Sequence, residues 1–185
     1  RAVCYFLLME LIKIENLNII LSTNERDNWK NESIIVNNNI KLVPWGWNVE
    51  KFNPKNRIHW EKRRFFQTFG LPYLLRRLNK NKKGLGFARF FVNKEFTNAI
   101  KDSDVILSTG GHHLTTRFTP NCHNELLFDL CSASLINQNL ILWSQTYGPF
   151  KFTSQNNKNG VIKILKNARC VFVRDIKSFD VLHEL

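Results

Sequence analysis

Two short apolar runs, Val105–Leu107 and Leu140–Trp143, constrain the possible folds of this chain more than any other feature. Polar turn residues bound each run, which is typical of a buried parallel strand covered by helices on both faces. Between the runs, residues 124–137 carry their apolar side chains on roughly one face of a helix, and this predicts a crossover helix between neighbouring parallel strands. Each run is expected to end in a glycine-bearing turn, and both turns then open at the same edge of the sheet.

The same alternation of strand and helix patterns runs along the whole chain. Strands are predicted over residues 16–23, 40–44 and 170–174, and helices over residues 1–15, 60–78, 93–101, 161–167 and 176–185. Gly70 and Pro72 are expected to split the helical region 60–78 into two helices. We therefore predict an α/β fold with a Rossmann-like, mainly parallel sheet and helices on both faces.

The size and charge of the chain limit its class and its partners. A chain of 185 residues is long enough for one domain with a sizeable core. The formal net charge of +12 favours anionic partners, namely nucleic acid, a negatively charged membrane surface or phosphorylated substrates. A solvated, lysine-rich surface is the better explanation of the same excess.

The cysteines predict no metal site and no disulfide framework. They are Cys4, Cys122, Cys131 and Cys170, without a Cys-x-x-Cys pair. Cys122 and His123 follow the pair His112-His113, but no carboxylate or second cysteine stands at a suitable spacing. A reducing, cytoplasmic setting is the simpler interpretation.

Three motifs follow one another in the second half of the chain: Asp104-Val-Ile-Leu-Ser-Thr-Gly-Gly, Gln145-Thr-Tyr-Gly-Pro-Phe and Val173-Arg-Asp-Ile-Lys-Ser. In this order and with these separations they resemble the polysaccharide pyruvyl transferase family. The first half matches that family only in its rhythm of strands and helices. The resemblance implies an enzyme of polysaccharide biosynthesis that moves the enolpyruvyl part of phosphoenolpyruvate onto two hydroxyls of a sugar. The product is a pyruvate ketal on an exopolysaccharide of the cell envelope, or on its lipid-linked precursor.

The resemblance also implies a place for this chain in a larger enzyme. The family resembles the GT-B architecture, in which two Rossmann-like halves face each other across a cleft. Residues 1–185 are then expected to be a single incomplete Rossmann-like domain, the amino-terminal half, truncated at both ends and inactive alone. The expected general-acid histidine lies in the other half, so no catalytic residue is named here, and no cofactor is expected beyond the donor phosphoenolpyruvate.

Arg174 is the first candidate for binding the donor, because a guanidinium at the carboxyl end of a strand holds a phosphate or a carboxylate through a bidentate fork. The resemblance gives an arginine at this motif position the same role. The alternative is that Arg174 pairs with Asp175 or caps a neighbouring turn. Asp175 is better explained as a helix cap that orients Arg174, whereas Ser178 is a candidate ligand contact in the same first turn.

The other candidate binding residues lie in the two earlier motifs. Gly110 and Gly111 are able to present backbone N–H groups to an anion, or to form only a tight turn. His112 departs from the family pattern and is either a contact to the acceptor sugar or phosphate, or a solvent-exposed side chain. Gln145 is able to hydrogen-bond sugar hydroxyls, while Gly148 lies in the turn beside it; alternatively, Gln145 satisfies only backbone groups of its loop.

Two other functions are weighed against the pyruvyl transferase. Because fold alone does not fix function, a GT-B glycosyltransferase using a nucleotide sugar is the nearest alternative. A nucleic-acid-binding module is the alternative from another class, since cations and aromatic residues are interleaved over residues 57–83. Their helical spacing instead assigns those aromatic side chains to the core, which argues against nucleic acid. The same basic surface is compatible with docking on an anionic membrane, at its cytoplasmic face.

Overall fold

The structure, a computed structural model, describes residues 2–23, 26–46, 61, 65–111, 114–116 and 124–185. The strands are β1 (Ile20–Ser22), β2 (Lys41–Val43), β3 (Ile106–Gly111), β4 (Leu140–Gln145) and β5 (Cys170–Val173). The α-helices are α1 (Ala2–Leu11), α2 (Arg26–Trp29), α3 (Ser33–Asn37), α4 (Leu71–Asn79), α5 (Lys94–Asp102), α6 (Asn124–Ile136), α7 (Gln155–Asn167) and α8 (Ile176–His183). A π-helix, Phe66–Gly70, precedes α4, and a 3₁₀-helix, Gly86–Phe90, follows it.

All the strand pairs of the described residues are parallel. β1 pairs with β2, and β3, β4 and β5 form a second sheet in that order. Helices connect the consecutive strands of the second sheet, as α6 does between β3 and β4. The predicted Rossmann-like α/β fold with a mainly parallel sheet is therefore confirmed, whereas the GT-B arrangement of two halves stays a prediction.

The core of the larger unit lies between the second sheet and three helices. Its fully buried side chains come from α4, α6, β4 and α7, and they include Leu74, Phe128, Leu142 and Ile164. A smaller cluster around Leu8 packs α1 and the short helices α2 and α3 against β1 and β2. Residues 124–136 thus form the predicted crossover helix α6, but α6 is buried on nearly every side and not on one face alone, since Ser132 and Ser134 are buried as well.

One local signal in the sequence acts as expected and another does not. The helical region before Asn79 is not split at Gly70, because the π-helix runs directly into α4 and Gly70 has helical dihedral angles, a φ of −65° and a ψ of −56°. Pro72 lies in the first turn of α4, where the helix type changes. Helix α5 begins after Asn93, whose side chain accepts hydrogen bonds from the N–H groups of Glu95 and Phe96. A side-chain cap of this kind satisfies donors that a helix leaves free at its start.

Helix α7 begins six residues before the predicted start at Val161, at Gln155. Its first half is polar, so no apolar period announces it. Ser154 caps it by accepting from the N–H of Asn157, and Gly160 allows close packing of α7 against Leu75 of α4. The helix is thus stabilised by a contact with a distant element, which a local pattern does not reveal.

The prediction that the aromatic residues of the helical region 60–78 lie in the core is wrong for two of them. Phe65 is 45% exposed and Phe69 is 56% exposed. Tyr73 is only partly buried, and its hydroxyl accepts a hydrogen bond from the N–H of Phe87. The helical period is present and the leucines of α4 that share it are buried, but these two phenylalanines lie at the surface. Trp60 lies outside the described residues.

A cavity of about 580 Å³ separates the two sheets. Successive residues of β1 line one side of it and residues of β3, from Ile106 to Thr109, line the other, so the two strand edges face each other across it. In a doubly wound sheet, the space between two such strand edges is the position of a central strand. That residues 1–185 form one incomplete domain stays a prediction. Among the described residues, no helix is both long and apolar enough to cross a bilayer.

Candidate functional site

The carboxyl ends of the three strands of the second sheet come together in one row. Gly111 of β3 is the register partner of Gln145 of β4, and Gln145 is in turn the partner of Val173 of β5. Arg174 follows Val173 directly, and its backbone N–H donates to the Gln145 carbonyl over 3.3 Å. The structure therefore brings the three sequence motifs to a single sheet edge, which is where ligands bind in open parallel sheets.

Strand β3 is longer than the sequence predicts. The run Val105–Leu107 predicts a strand followed by a turn at Gly110 and Gly111, but both glycines belong to the strand. Their N–H groups are therefore governed by strand geometry and not by a turn that opens a helix. A role for Gly110 and Gly111 in anion binding stays a prediction.

Gln145 is buried because β4 contains an irregularity at its end. Ser144 has a φ of +51°, and the pairing of β4 with β5 shifts between Leu142 and Gln145. The extra residue gives Gln145 the buried position that strict alternation assigns to Ser144. Gln145 is fully buried, and its Nε2 donates to the hydroxyl of Ser108 over 2.9 Å and to the Ser108 carbonyl over 3.3 Å.

The amide oxygen of Gln145 has no hydrogen-bond partner among the described residues. A buried acceptor without a partner is costly, roughly 1–3 kcal/mol, so a hydroxyl that reaches this oxygen would be bound favourably. The donor of Gln145 is taken by Ser108, as the alternative of a purely structural role requires. Its oxygen is closed to solvent, so the contact with a sugar hydroxyl stays a prediction and requires the edge to open at this position.

The loop after β4 is held by the segment that follows β3. Thr115 donates its hydroxyl hydrogen to the Gly148 carbonyl over 2.6 Å, and Thr116 does the same to the Pro149 carbonyl over 2.7 Å. The N–H of Thr116 also donates to Pro149, and the N–H of Gly148 donates to the carbonyl of Leu114. These contacts make one rigid unit of two loops at the sheet edge.

Gly148 adopts a backbone conformation that other residues rarely adopt, with a φ of +69°. A Cβ atom at this position would also lie 2.5 Å from Cγ1 of Val181, which belongs to α8. Both the conformation and the close approach of the helix require glycine here. The turn predicted at this position is therefore packed directly against the helix that follows Arg174.

Ser178 differs from its predicted role as a ligand contact. It is fully buried, and its hydroxyl oxygen accepts a hydrogen bond from the N–H of Tyr147 over 3.0 Å. A side chain without exposed surface and with this bond in place holds the loop after β4 against the first turn of α8. Ser178 is therefore a positioning residue for this edge of the sheet.

Asp175 caps α8, as the better of its two explanations predicted. Its Oδ1 accepts from the N–H of Ser178 over 2.8 Å, at the start of a helix whose first N–H groups have no partner within it. Arg174 is exposed, and its guanidinium makes no ion pair or hydrogen bond with the residues that the structure describes. The alternative in which Arg174 pairs with Asp175 is not observed.

Several residues singled out in the sequence lie outside the described ranges. They are His112, His113, Cys122 and His123, and nothing is added to their predictions. Within those ranges, no three metal-ligating side chains cluster. Cys4, Cys131 and Cys170 are free thiols. Burial raises the pKa of the Cys4 thiol, although a hydrogen bond with Thr109 opposes that effect.

Sequence reasoning missed the residues that brace the site, namely Ser108, Thr115 and Thr116. Thr115 and Thr116 bond to carbonyls 33 positions away in the chain. No local pattern announces such a contact, because hydroxyl side chains are common in turns and loops. The one available signal was that Ser108 stands at the end of a predicted strand beside the Gln145 motif.

Comparison with known proteins supports the family that the three motifs resemble. A family model described as polysaccharide pyruvyl transferase matches residues 8–185. The match thus extends far before the three motifs, into the half of the chain where only a rhythm of strands and helices was evident. A search of curated proteins found no match, and neither did a search of solved structures.

Proposed function

Because the chain belongs to the polysaccharide pyruvyl transferase family, we propose that Arg174 holds phosphoenolpyruvate at the carboxyl edge of β3, β4 and β5. The observation that carries this proposal is the exposed Arg174 guanidinium directly beside the row formed by Gly111, Gln145 and Val173. A guanidinium that no described residue engages is free to form two parallel hydrogen bonds to a carboxylate or a phosphate.

The reaction we propose has one donor and an acceptor with two hydroxyls. The methylene carbon of phosphoenolpyruvate takes up a proton, the neighbouring carbon accepts an oxygen from each hydroxyl, and phosphate leaves. The two hydroxyl protons balance the one taken up by carbon and the one that leaves with phosphate. Cations stabilise the phosphate as negative charge develops on it, and Arg174 stands at the edge where such a group is needed.

For the acceptor, we propose that the edge opens at Gln145 and that its amide oxygen, which is buried without ligand and has no partner among the described residues, binds a sugar hydroxyl of a glycan or a lipid-linked sugar. Its position in the row places it between the glycine end of β3 and Arg174. An amide oxygen orients a hydroxyl by accepting a hydrogen bond from it. The lone pairs of the sugar oxygen then remain available for reaction. Ser178 and Asp175 contribute by holding the loop and the helix on either side.

A thermal-shift titration of the full-length gene product with phosphoenolpyruvate tests the donor. We expect the transition temperature to rise with ligand concentration, as binding to the native state requires. Arg174→Ala should abolish the rise, and Arg174→Lys should weaken it, since an ammonium lacks the planar fork. Arg169→Ala is the matched control, because Arg169 is also exposed and immediately precedes β5.

Two results would contradict this assignment. An equal rise in the wild type and in Arg174→Ala would show that another residue binds the donor. A rise with a nucleotide sugar but none with phosphoenolpyruvate would assign the edge to a glycosyltransferase instead.

A further inference from the structure

Five phenylalanines form a continuous surface away from the sheet edge. They are Phe65, Phe69, Phe87, Phe90 and Phe91, and we call them the phenylalanine surface. Ring centroids lie 4.8 Å apart for Phe65 and Phe69, 5.6 Å for Phe65 and Phe91, 5.5 Å for Phe87 and Phe91, and 5.7 Å for Phe87 and Phe90. The contact between Phe65 and Phe91 joins the side chains before α4 to those of the 3₁₀-helix that ends at Phe90.

Most of this apolar surface is accessible. Phe87 is 55% exposed and Phe90 is 68% exposed, beside the exposed Phe65 and Phe69. Single exposed hydrophobic residues are normal in soluble proteins, but a contiguous group of large ones marks a site of interaction. We therefore expect these phenylalanines to contact a partner. The side chains around them indicate the chemistry of that partner.

The segment that carries these phenylalanines is cationic. Residues 65–92 carry six arginines and lysines and no aspartate or glutamate. Lys83, Arg89 and Lys101 line the same groove of about 640 Å³ as Phe87 and Phe90, with apolar residues such as Leu135 also in its lining. The Arg89 guanidinium carbon lies 4.9 Å from the centre of the Phe90 ring.

Apolar rings next to cations of one sign match the interface of an anionic bilayer, where rings enter the acyl boundary and cations remain at the headgroups. A nucleic acid is a poorer match, because base stacking needs open ring faces. Here the rings pack on one another at tilted angles of 41° to 69°, and Arg89 lies against Phe90.

We propose that the phenylalanine surface, with Lys83 and Arg89, docks this protein on an anionic membrane. The docking is peripheral: the rings reach only the boundary of the acyl region, and the cations hold the phosphates of the headgroups. The inference goes beyond the proposed function and does not use Arg174, so Arg174→Ala is expected to bind membranes as the wild type does.

Cosedimentation with lipid vesicles tests the proposal on the full-length gene product. We expect binding to vesicles of phosphatidylcholine mixed with phosphatidylglycerol, little binding to phosphatidylcholine alone, and a loss of binding as salt is raised. The double variant Phe87→Ser/Phe90→Ser should reduce the partition coefficient at least about tenfold, since it removes the inserted apolar area. Lys83→Gln/Arg89→Gln should reduce it about 25-fold, at about fivefold for each cation.

Two matched controls separate the surface from general effects of charge and hydrophobicity. Phe6→Ser removes a phenylalanine of α1 that is 69% exposed, close to the exposure of Phe90. Lys41→Gln removes an exposed cation from β2. The partition coefficients of both variants should stay within about twofold of the wild-type value. Phe6 is not part of the phenylalanine surface, and one cation outside the docking surface contributes little at physiological salt. Circular dichroism verifies that every variant remains folded.

Three results would overturn the proposal. The first is no binding to anionic vesicles, and the second is an equal loss in the Phe6→Ser control. The third is tight binding to a single-stranded oligonucleotide that depends on Phe87 and Phe90 while vesicles are not bound, which would assign the surface to nucleic acid.

Discussion

The backbone N–H of Tyr147 donates to the hydroxyl of Ser178 over 3.0 Å, and this bond joins the loop after β4 to the first turn of α8. Both residues are buried. Gln145 precedes the loop and Arg174 precedes the helix, so this bond joins the two chain segments that follow the residues of the proposed site. The geometry of the proposed site therefore depends on a side chain that no ligand is able to reach.

Ser178→Ala should destabilise the protein by about 1–3 kcal/mol, since it leaves the buried N–H of Tyr147 without a partner. Urea unfolding should show a lower midpoint with an unchanged slope, as expected when stability alone changes. Lys177→Ala is the control, because Lys177 is exposed in the same turn. Equal stability of Ser178→Ala and the wild type would contradict the structural role of this hydroxyl.

Asp175→Ala should cost about 0.5–2 kcal/mol through loss of the cap of α8. Asp175→Asn should retain most of the stability, because an amide oxygen accepts from the Ser178 N–H as a carboxylate does. The comparison is made by chemical denaturation, with Asp180→Ala as an exposed control from the interior of the same helix. If asparagine were as damaging as alanine, the contribution of Asp175 would be its charge and not its cap.

Gly148→Ala should be one of the most destabilising single substitutions at the edge. The positive φ costs about 1–2 kcal/mol for a residue with a Cβ atom, and the clash with Val181 adds to this. Gly84→Ala isolates the first effect, because Gly84 has a φ of +71° and no atom within 4 Å of an added Cβ. We expect thermal unfolding to show a clearly larger loss for Gly148→Ala than for Gly84→Ala.

Val181→Ala distinguishes the clash from backbone strain at Gly148. In the Gly148→Ala background it removes the Cγ1 atom that the new Cβ would meet, and part of the lost stability should return. The double-mutant cycle should therefore show a favourable coupling between the two substitutions. Strict additivity would mean that α8 shifts to accept the new methyl group.

The parts of this fold that the sequence predicted are those with a local cause. The crossover helix α6 and the strand before Arg174 each follow from an apolar pattern within a few residues. Asp175 was recognised as a cap for the same reason, since a cap bonds within its own first turn.

The parts that the sequence did not predict depend on contacts between distant segments. The polar start of α7 is a helix because Gly160 lets it pack on Leu75. Gln145 is buried because a bulge changes the alternation of β4. Phe65 follows a helical period and is still exposed, since a period identifies a face but not what covers it.

Gln145→Met should separate acceptor binding from donor binding. Methionine preserves the length of the buried side chain but lacks the amide oxygen that we assign to a sugar hydroxyl. The variant should keep the thermal stabilisation by phosphoenolpyruvate while its KM for the sugar acceptor rises. A variant that loses stabilisation by the donor, at unchanged stability without ligand, would place Gln145 on the donor and not on the acceptor.

Tyr147 should make the stability of the protein decrease at alkaline pH. Burial raises the pKa of its hydroxyl, which has no hydrogen-bond partner among the described residues. Below about pH 10, the ordinary pKa of tyrosine, both the folded and the unfolded protein keep this proton. Above it, the unfolded chain releases the proton while the folded protein retains it, so the free energy of unfolding falls as pH rises towards the raised pKa.

Tyr147→Phe removes this titration and little else, because phenylalanine fills the same space without the buried hydroxyl. Near pH 7 the two proteins should differ in stability by less than about 1 kcal/mol. Between about pH 10 and the raised pKa, the wild type should lose about 1.4 kcal/mol per pH unit relative to the variant. Urea unfolding at a series of pH values measures this difference, in which the titration of the other tyrosines and of the lysines cancels. Parallel pH profiles for the two proteins would show that the Tyr147 hydroxyl reaches solvent in the folded state.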